Sequence, residues 1–245
     1  MSEPAAQPPR RQIYGRRRGR KLTQKREDRM QRQLPELQFD LPIPPQILDL
    51  KRIFGETPQR LWLEIGFGVG DHLFAQALAN PDVHFLGVEP FLYGVSNLVD
   101  DMAEAEAAGN PGPMRHIRLL TDDARLLLKV LPDASLERAF ILFPDPWPKK
   151  RHNWRRIVNA DTLADLARCM KPGAELRLAT DVPDYARWML RFATPSASWA
   201  APGFAWMAET AADWRERPAD WPPSKYERKA RAAGRSCWYF RFRRV

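Results

Sequence analysis

The chain has 245 residues, 44% hydrophobic and 28% charged, which is long enough for a sizeable core and globular in composition. No apolar run approaches the roughly 18 residues that cross a bilayer, and the basic N-terminus leads into no apolar segment of the secretory-signal kind. The net charge of +9 is uneven: residues 1–32 hold eleven Lys/Arg against three Asp/Glu, residues 213–245 hold ten against four, and the body between them is net acidic by five. Two basic ends on an acidic body suit a polyanion, nucleic acid being the commonest. Cys169 and Cys237 have no CxxC partner and the four His show no zinc spacing, so buried or idle thiols in a reducing cytoplasm and no metal are expected.

In chain order, residues 1–32 carry Pro4, Pro8, Pro9 and the run Arg16-Arg17-Arg18-Gly19-Arg20-Lys21 among few apolar residues. They are expected to be a disordered basic extension that folds onto RNA or DNA, with residues 33–245 forming one domain. Prolines 35, 42, 44 and 45 predict an extended course over Leu34 to Pro45, and Ile47 to Phe54 reads as a short helix ended by Gly55. Leu61 to Ile65 is a buried strand entering the turn Gly66-Phe67-Gly68-Val69-Gly70, and Asp71 is placed to cap a helix over 71–79. A strand at His84 to Glu89 completes a βαβ unit. A helix from Phe91 to Ala108 stops at Gly109-Asn110-Pro111-Gly112-Pro113.

Strands are then predicted at Arg115 to Thr121, Leu136 to Phe143 and Glu175 to Ala179, and helices at Ala124 to Leu131, Asp161 to Met170 and Asp184 to Phe192. Tyr185 and Trp188 on the last helix read as core. Ser236 to Arg243 reads as a final antiparallel strand, paired near Phe204 to Glu209. The alternation predicts an α/β, doubly wound, mostly parallel Rossmann-like sheet with an antiparallel C-terminal strand.

The chemistry gathers at strand ends. Glu64 with Gly66, Gly68 and Gly70 makes E-x-G-x-G-x-G, in which Asp71 stands where the last glycine of a dinucleotide fingerprint would be. An acid there disfavours a pyrophosphate and suits a positively charged ligand such as the aminoacyl part of S-adenosylmethionine. Glu89, 19 residues after Gly70, can accept the two hydroxyls of a ribose. In Thr121-Asp122-Asp123-Ala124 a carboxylate or its backbone can take an adenine amino group, or Asp122 can cap the next helix.

After the fourth strand comes Phe143-Pro144-Asp145-Pro146-Trp147-Pro148-Lys149-Lys150-Arg151-His152. Its three alternate prolines force a stiff extended loop at the strand's carboxyl end, where open α/β sheets keep their ligands. Lys149, Lys150, Arg151, His152, Arg155 and Arg156 are suited to RNA phosphates. Trp147 either stacks on a base or packs on the core.

The set E-I-G-F-G-x-G, G-V-E, D-A, F-P-D-P-W-P-K-K-R-H, R-R-I-V, T-D-x-x-x-Y and K-Y-E-R-K, running from Leu61 to Arg231, resembles the bacterial tRNA (guanine-N7-)-methyltransferase family. The resemblance implies a class I methyltransferase fold that uses S-adenosyl-L-methionine and methylates N7 of guanosine 46 in the tRNA variable loop. It implies that Glu64, Glu89, Asp123 and Asp145 line the cofactor and reaction site, with Asp145 catalytic. It implies that Lys149, Asp181 and Ser224-Lys225-Tyr226-Glu227 contact the substrate, Ser224 standing where the family has Thr. The partner implied is tRNA, with no membrane and no metal, and the chain acting as a monomer or homodimer. Asp145 is placed to accept from the guanine N1–H and amino group, and Asp181 and Glu227 can share that edge. The alternatives are a methyltransferase of another RNA or of protein, or a non-catalytic RNA-binding module of the same fold.

Overall fold

The computed structural model describes Tyr14, Gly19 and residues 21–110, 112–194 and 203–245. The expected basic extension up to residue 13, with residues 15–18 and 20, lies outside the described residues. From Lys21 the elements are α1 (Gln24–Leu37), α2 (Leu50–Phe54), β1 (Leu61–Ile65), α3 (Asp71–Ala79), β2 (His84–Val88), α4 (Leu92–Ala107), α5 (Gly112–His116) and β3 (Ile117–Leu120). They continue as α6 (Ala124–Val130), β4 (Leu136–Leu142), a 3-10 turn (Lys150–Arg155), α7 (Ala160–Cys169), β5 (Met170–Thr180) and α8 (Pro183–Ala193). Beyond residue 203 come β6 (Phe204–Trp206), α9 (Ala212–Arg215), α10 (Lys225–Ala232) and β7 (Trp238–Arg244).

The strands form one sheet in the order β3-β2-β1-β4-β5-β7-β6. β1 to β5 run parallel, while β7 is antiparallel to both β5 and β6, as the alternation and the final strand predicted. Side chains alternate across a strand, so Leu61, Leu63 and Ile65 enter one apolar layer and Trp62 the other. The first layer is covered by α6, α7 and α8, the second by α3 and α4. Each fully buried Leu or Phe contributes about 1.5–3 kcal/mol relative to exposure. Tyr185 is fully buried in the first layer, and Trp188 packs against it. Cys169 and Cys237 are buried free thiols, and burial pushes the Cys169 thiol up to about 12.

Three expectations change. Residues 24–37 are helical rather than disordered or extended, because Met30, Leu34 and Leu37 recur at helical spacing and pack on the second layer. Arg26 and Arg29 of α1 also pair with Asp100 of α4, each at 2.8 Å. The third strand is shorter than predicted, since residues 112–116 wind into α5. Gly70, not Asp71, is the cap residue of α3; Asp71 sits in the first turn and pairs with Arg228.

The register sets the site. Ile65 lies opposite Val88 on one side and Ile141 on the other, so β1, β2 and β4 end at one edge of the sheet. Beyond β1 the strand order reverses direction, and an open α/β sheet has its crevice at such a switch point.

Candidate functional site

That edge opens into a cleft of about 680 Å³. Its walls are the glycine turn (Gly66, Gly68), the end of β2 (Glu89 to Phe91), the β3–α6 corner (Asp122 to Arg125) and the proline loop (Phe143 to Asp145, Trp147), with Arg155, Tyr14 and Tyr226 at its margin. The acids predicted at 89, 123 and 145 therefore meet in one cavity.

The turn is built by backbone conformation. Gly68 has φ +61°, and a Cβ there would come within 2.6 Å of the Tyr226 ring. Gly94 was not anticipated: a Cβ on it would meet the Gly68 carbonyl oxygen at 2.0 Å, so α4 packs directly on the turn. Glu89 braces the same turn, its Oε2 accepting from Gly68 N at 2.8 Å and its Oε1 from Phe91 N at 2.9 Å. Burial pushes its carboxyl up to about 7, against the lowering effect of those two amides, and the neighbouring Asp145 and Glu64 add to the rise.

Asp123, not Asp122, caps α6: its Oδ1 accepts from Arg125 N at 3.0 Å, and its carboxylate pairs with the Arg125 guanidinium at 2.9 Å. Asp122 lies beside it on the cleft wall and accepts the amide of Asp123 at 2.8 Å. Glu64 is 3% exposed behind the glycine turn, with Oε2 2.7 Å from His72 Nδ1.

The proline loop leaves β4 through strained backbone, Phe143 at φ +51° and Trp147 at φ +42°. Asp145 is exposed on the cleft wall, and desolvation by the surrounding loop raises its carboxyl above the usual carboxylate range. Among the described residues no Lys or Arg pairs with Glu64, Glu89 or Asp145. Acids with no Lys or Arg partner, Glu89 and Asp145 on the cleft wall and Glu64 behind the glycine turn, fit a ligand that brings positive charge and hydroxyl donors, as S-adenosylmethionine does with its sulfonium, ammonium and ribose.

The cations do not act as one group. Lys149, Lys150 and Arg151 are exposed and His152 half-buried. Arg155 lies over the Trp147 ring at 4.9 Å, the Trp154 ring at 5.4 Å and the Tyr14 ring at 5.6 Å. Trp147 is thus half-buried on the cleft wall with a cation against it. Arg156 corrects an expectation: at 1% exposure it cannot reach a phosphate. Its Nε donates to the Pro146 carbonyl at 2.8 Å and its Nη2 to Asp184 at 2.6 Å, with the Tyr185 and Trp188 rings against the guanidinium. It anchors the loop that carries Asp145.

The C-terminal set also divides. Tyr226 and Lys225 are exposed, Tyr226 lining the cleft. The Ser224 hydroxyl accepts from Glu227 N at 3.1 Å and so caps α10. Glu227 does not reach the cleft, because the inward face of α10 carries it to 2% exposure. There it accepts from Tyr239 Oη at 2.7 Å and pairs with Arg231 at 3.0 Å and Arg217 at 3.2 Å. Asp181 stands just past β5, paired with Arg235 at 2.7 Å.

A family model described as a putative methyltransferase matches residues 58–240. The tRNA (guanine-N(7)-)-methyltransferase of Paracoccus denitrificans (strain Pd 1222) is 41% identical over 100% of this chain and 99% of its own. The enzyme of the same name from Rhodospirillum rubrum is 44% identical over 95% of this chain and 87% of its own. Among solved structures, the aminoglycoside resistance methyltransferase NpmB1 has a TM-score of 0.52 at 15% identity, covering 84% of this chain and 95% of its own. The 16S rRNA methyltransferase KamB also has 0.52 at 15% identity, with 82% and 95% covered. Those two share the class I methyltransferase fold. Identity above 40% along nearly the whole of both chains goes further, and the chain belongs to the tRNA (guanine-N(7)-)-methyltransferase family.

Proposed function

We propose that the chain methylates N7 of guanosine 46 in the variable loop of tRNA, in the cytoplasm, with S-adenosylmethionine as donor. The observation that carries this reading is the meeting of Glu89, Asp123 and Asp145 around one cleft, with Arg155 at its margin and the exposed Lys149, Lys150 and Arg151 on the loop that follows its proline wall. When bound, S-adenosylmethionine supplies a methyl group made electrophilic by its sulfonium. Glu89, held by the Gly68 amide, would accept the ribose hydroxyls, and the Asp122–Asp123 corner would take the adenine amino group.

Guanine N7 carries a lone pair on the major-groove edge and needs no deprotonation, so the protein's work is orientation. Alignment of this kind removes on the order of 7–11 kcal/mol of a barrier at best. Asp145 accepts from the guanine N1–H and amino group, fixes the base, and offsets the positive charge that grows on the ring. Lys149, Lys150, Arg151, His152 and Arg155 hold phosphates, while Tyr226 on the cleft lining, the exposed Lys225 beside it and Asp181 just past β5 meet the substrate.

Purified protein incubated with labelled S-adenosylmethionine and unmodified tRNA tests the reading once the labelled nucleotide is mapped. Label at guanosine 46, lost from a tRNA with another base there, is expected. Label at another nucleotide, or none, overturns it.

A further inference from the structure

Behind the glycine turn lies a chain of buried polar groups that the methyl transfer itself does not call on. Glu64, His72 and Gln76 are 3%, 1% and 2% exposed. Glu64 Oε2 and His72 Nδ1 are 2.7 Å apart, and His72 Nε2 faces Gln76 Nε2 at 3.4 Å. The Gln76 amide is oriented by two neighbours: its nitrogen donates to the Asp220 carbonyl at 2.9 Å, and its oxygen accepts from Asn80 at 3.2 Å. An amide nitrogen only donates, so His72 Nε2 is an acceptor and the imidazole proton sits on Nδ1, where it donates to Glu64. Phe140 and Trp221 meet the ring edge-on at 4.8 and 6.3 Å and hold its plane. One oxygen of Glu64 is thereby committed. Among the described residues nothing bonds to the other, and no Lys or Arg offsets the charge.

We propose that His72 is a positioning residue that orients the Glu64 carboxylate toward the positively charged amino-acid end of S-adenosylmethionine. This rests on the reading of Glu64 as a cofactor contact. A buried carboxylate with one free oxygen and no cation is costly unless a cationic ligand completes it. A fixed donor on Oε2 turns the free oxygen into a preorganised acceptor. The relay continues through Gln76 to the backbone of Asp220, whose side chain pairs with Arg177 at 2.7 Å, so the loop before α10 helps to hold the cofactor acid.

The test is calorimetric binding of S-adenosylhomocysteine, which carries the same amino-acid end, to the wild type, His72→Phe, His72→Asn, Glu64→Gln and the Glu64→Gln/His72→Phe pair. His72→Phe keeps the ring's shape and removes the donor; its dissociation constant is expected to rise about tenfold, the scale of one charge-assisted hydrogen bond. His72→Asn places an amide N–H near the Nδ1 position and is expected to stay within about threefold of wild type. The double variant is expected to bind like Glu64→Gln alone, because both changes remove one interaction. tRNA affinity, measured on the same preparations, stays at the wild-type level, whereas a general loss of packing lowers both. Wild-type binding by His72→Phe, or full additivity in the double variant, overturns the role of His72. Wild-type binding by Glu64→Gln overturns the underlying assignment of Glu64 instead.

Discussion

Glu89 accepts the backbone N–H of Gly68 at 2.8 Å, tying the end of β2 to the turn after β1. Burial raises the Glu89 carboxyl from 4.5 to about 7 in the folded chain. The folded state therefore holds more protons than the unfolded one between those values, and this group's contribution to stability falls as pH rises from about 4.5 to about 7. The full cost above pH 7 is on the order of 3 kcal/mol. Glu89→Gln removes that ionisation but accepts only one of the two amides, so it is expected to melt higher than wild type at pH 8 and to lose the advantage near pH 4.5. Cofactor binding runs the other way. The ribose hydroxyls need a carboxylate, so wild-type affinity for S-adenosylhomocysteine is expected to weaken below pH 7, approaching tenfold per unit, while Glu89→Gln binds weakly with a flat profile. Thermal unfolding and calorimetry across pH check both halves.

Asp145→Ala is expected to lower turnover at least about a hundredfold, the usual scale for removing one preorganised polar group at a reacting centre. Asp145→Asn keeps one acceptor oxygen but places an amide donor against guanine donors, so it is expected to be nearly as slow. Single-turnover kinetics with saturating tRNA separates this from weakened binding, and wild-type turnover in either variant contradicts the role of Asp145.

Arg156 and Lys149 make a contrasting pair, one buried under the loop and one exposed on it. Lys149→Ala is expected to reduce the slope of log binding against log salt by roughly 0.7–0.9, one phosphate's worth of released counterion. Arg156→Lys, which lacks the fork that spans Pro146 and Asp184, is expected to leave that slope unchanged and to lower turnover about tenfold by loosening the Asp145 loop. A reduced salt slope for Arg156→Lys contradicts its assignment as an anchor.

Gly94→Ala sets helix propensity against contact. Alanine favours a helix by about 1 kcal/mol over glycine. Here the new Cβ falls 2.0 Å from the Gly68 carbonyl oxygen, which is backbone and cannot turn aside. The clash is expected to win, with a net loss of about 1–3 kcal/mol and at least tenfold weaker cofactor binding. Thermal unfolding and calorimetry read the two effects, and a variant as stable as wild type counts against the close packing of α4 on the turn.

Much of this was legible in the residues because the signals are local. Apolar runs bounded by glycine and proline mark the strands, and an acid just after such a run stands at the ligand edge of a parallel sheet. Glu89 and Asp145 were singled out in that way, and both line the cleft. The helix over residues 24–37 was equally present in the spacing of Met30, Leu34 and Leu37, but the flanking charge and Pro35 masked it.

Side-chain direction was not legible. Arg155 and Arg156 are adjacent and alike, yet one lines the cleft and the other is sealed beneath the loop by Asp184, Tyr185 and Trp188. Glu227 sits between the exposed Tyr226 and Arg228 and turns inward to Tyr239. His72 gave no spacing pattern at all, because its partners are Glu64 on a neighbouring strand and, through Gln76, Asp220 on a loop 144 residues away from that glutamine. The order and kind of the elements follow from hydrophobic periodicity and backbone chemistry, which neighbours in the chain decide. Which acid lines the cleft, and which cation stays exposed, follows from burial and from partners brought together only by the folded sheet.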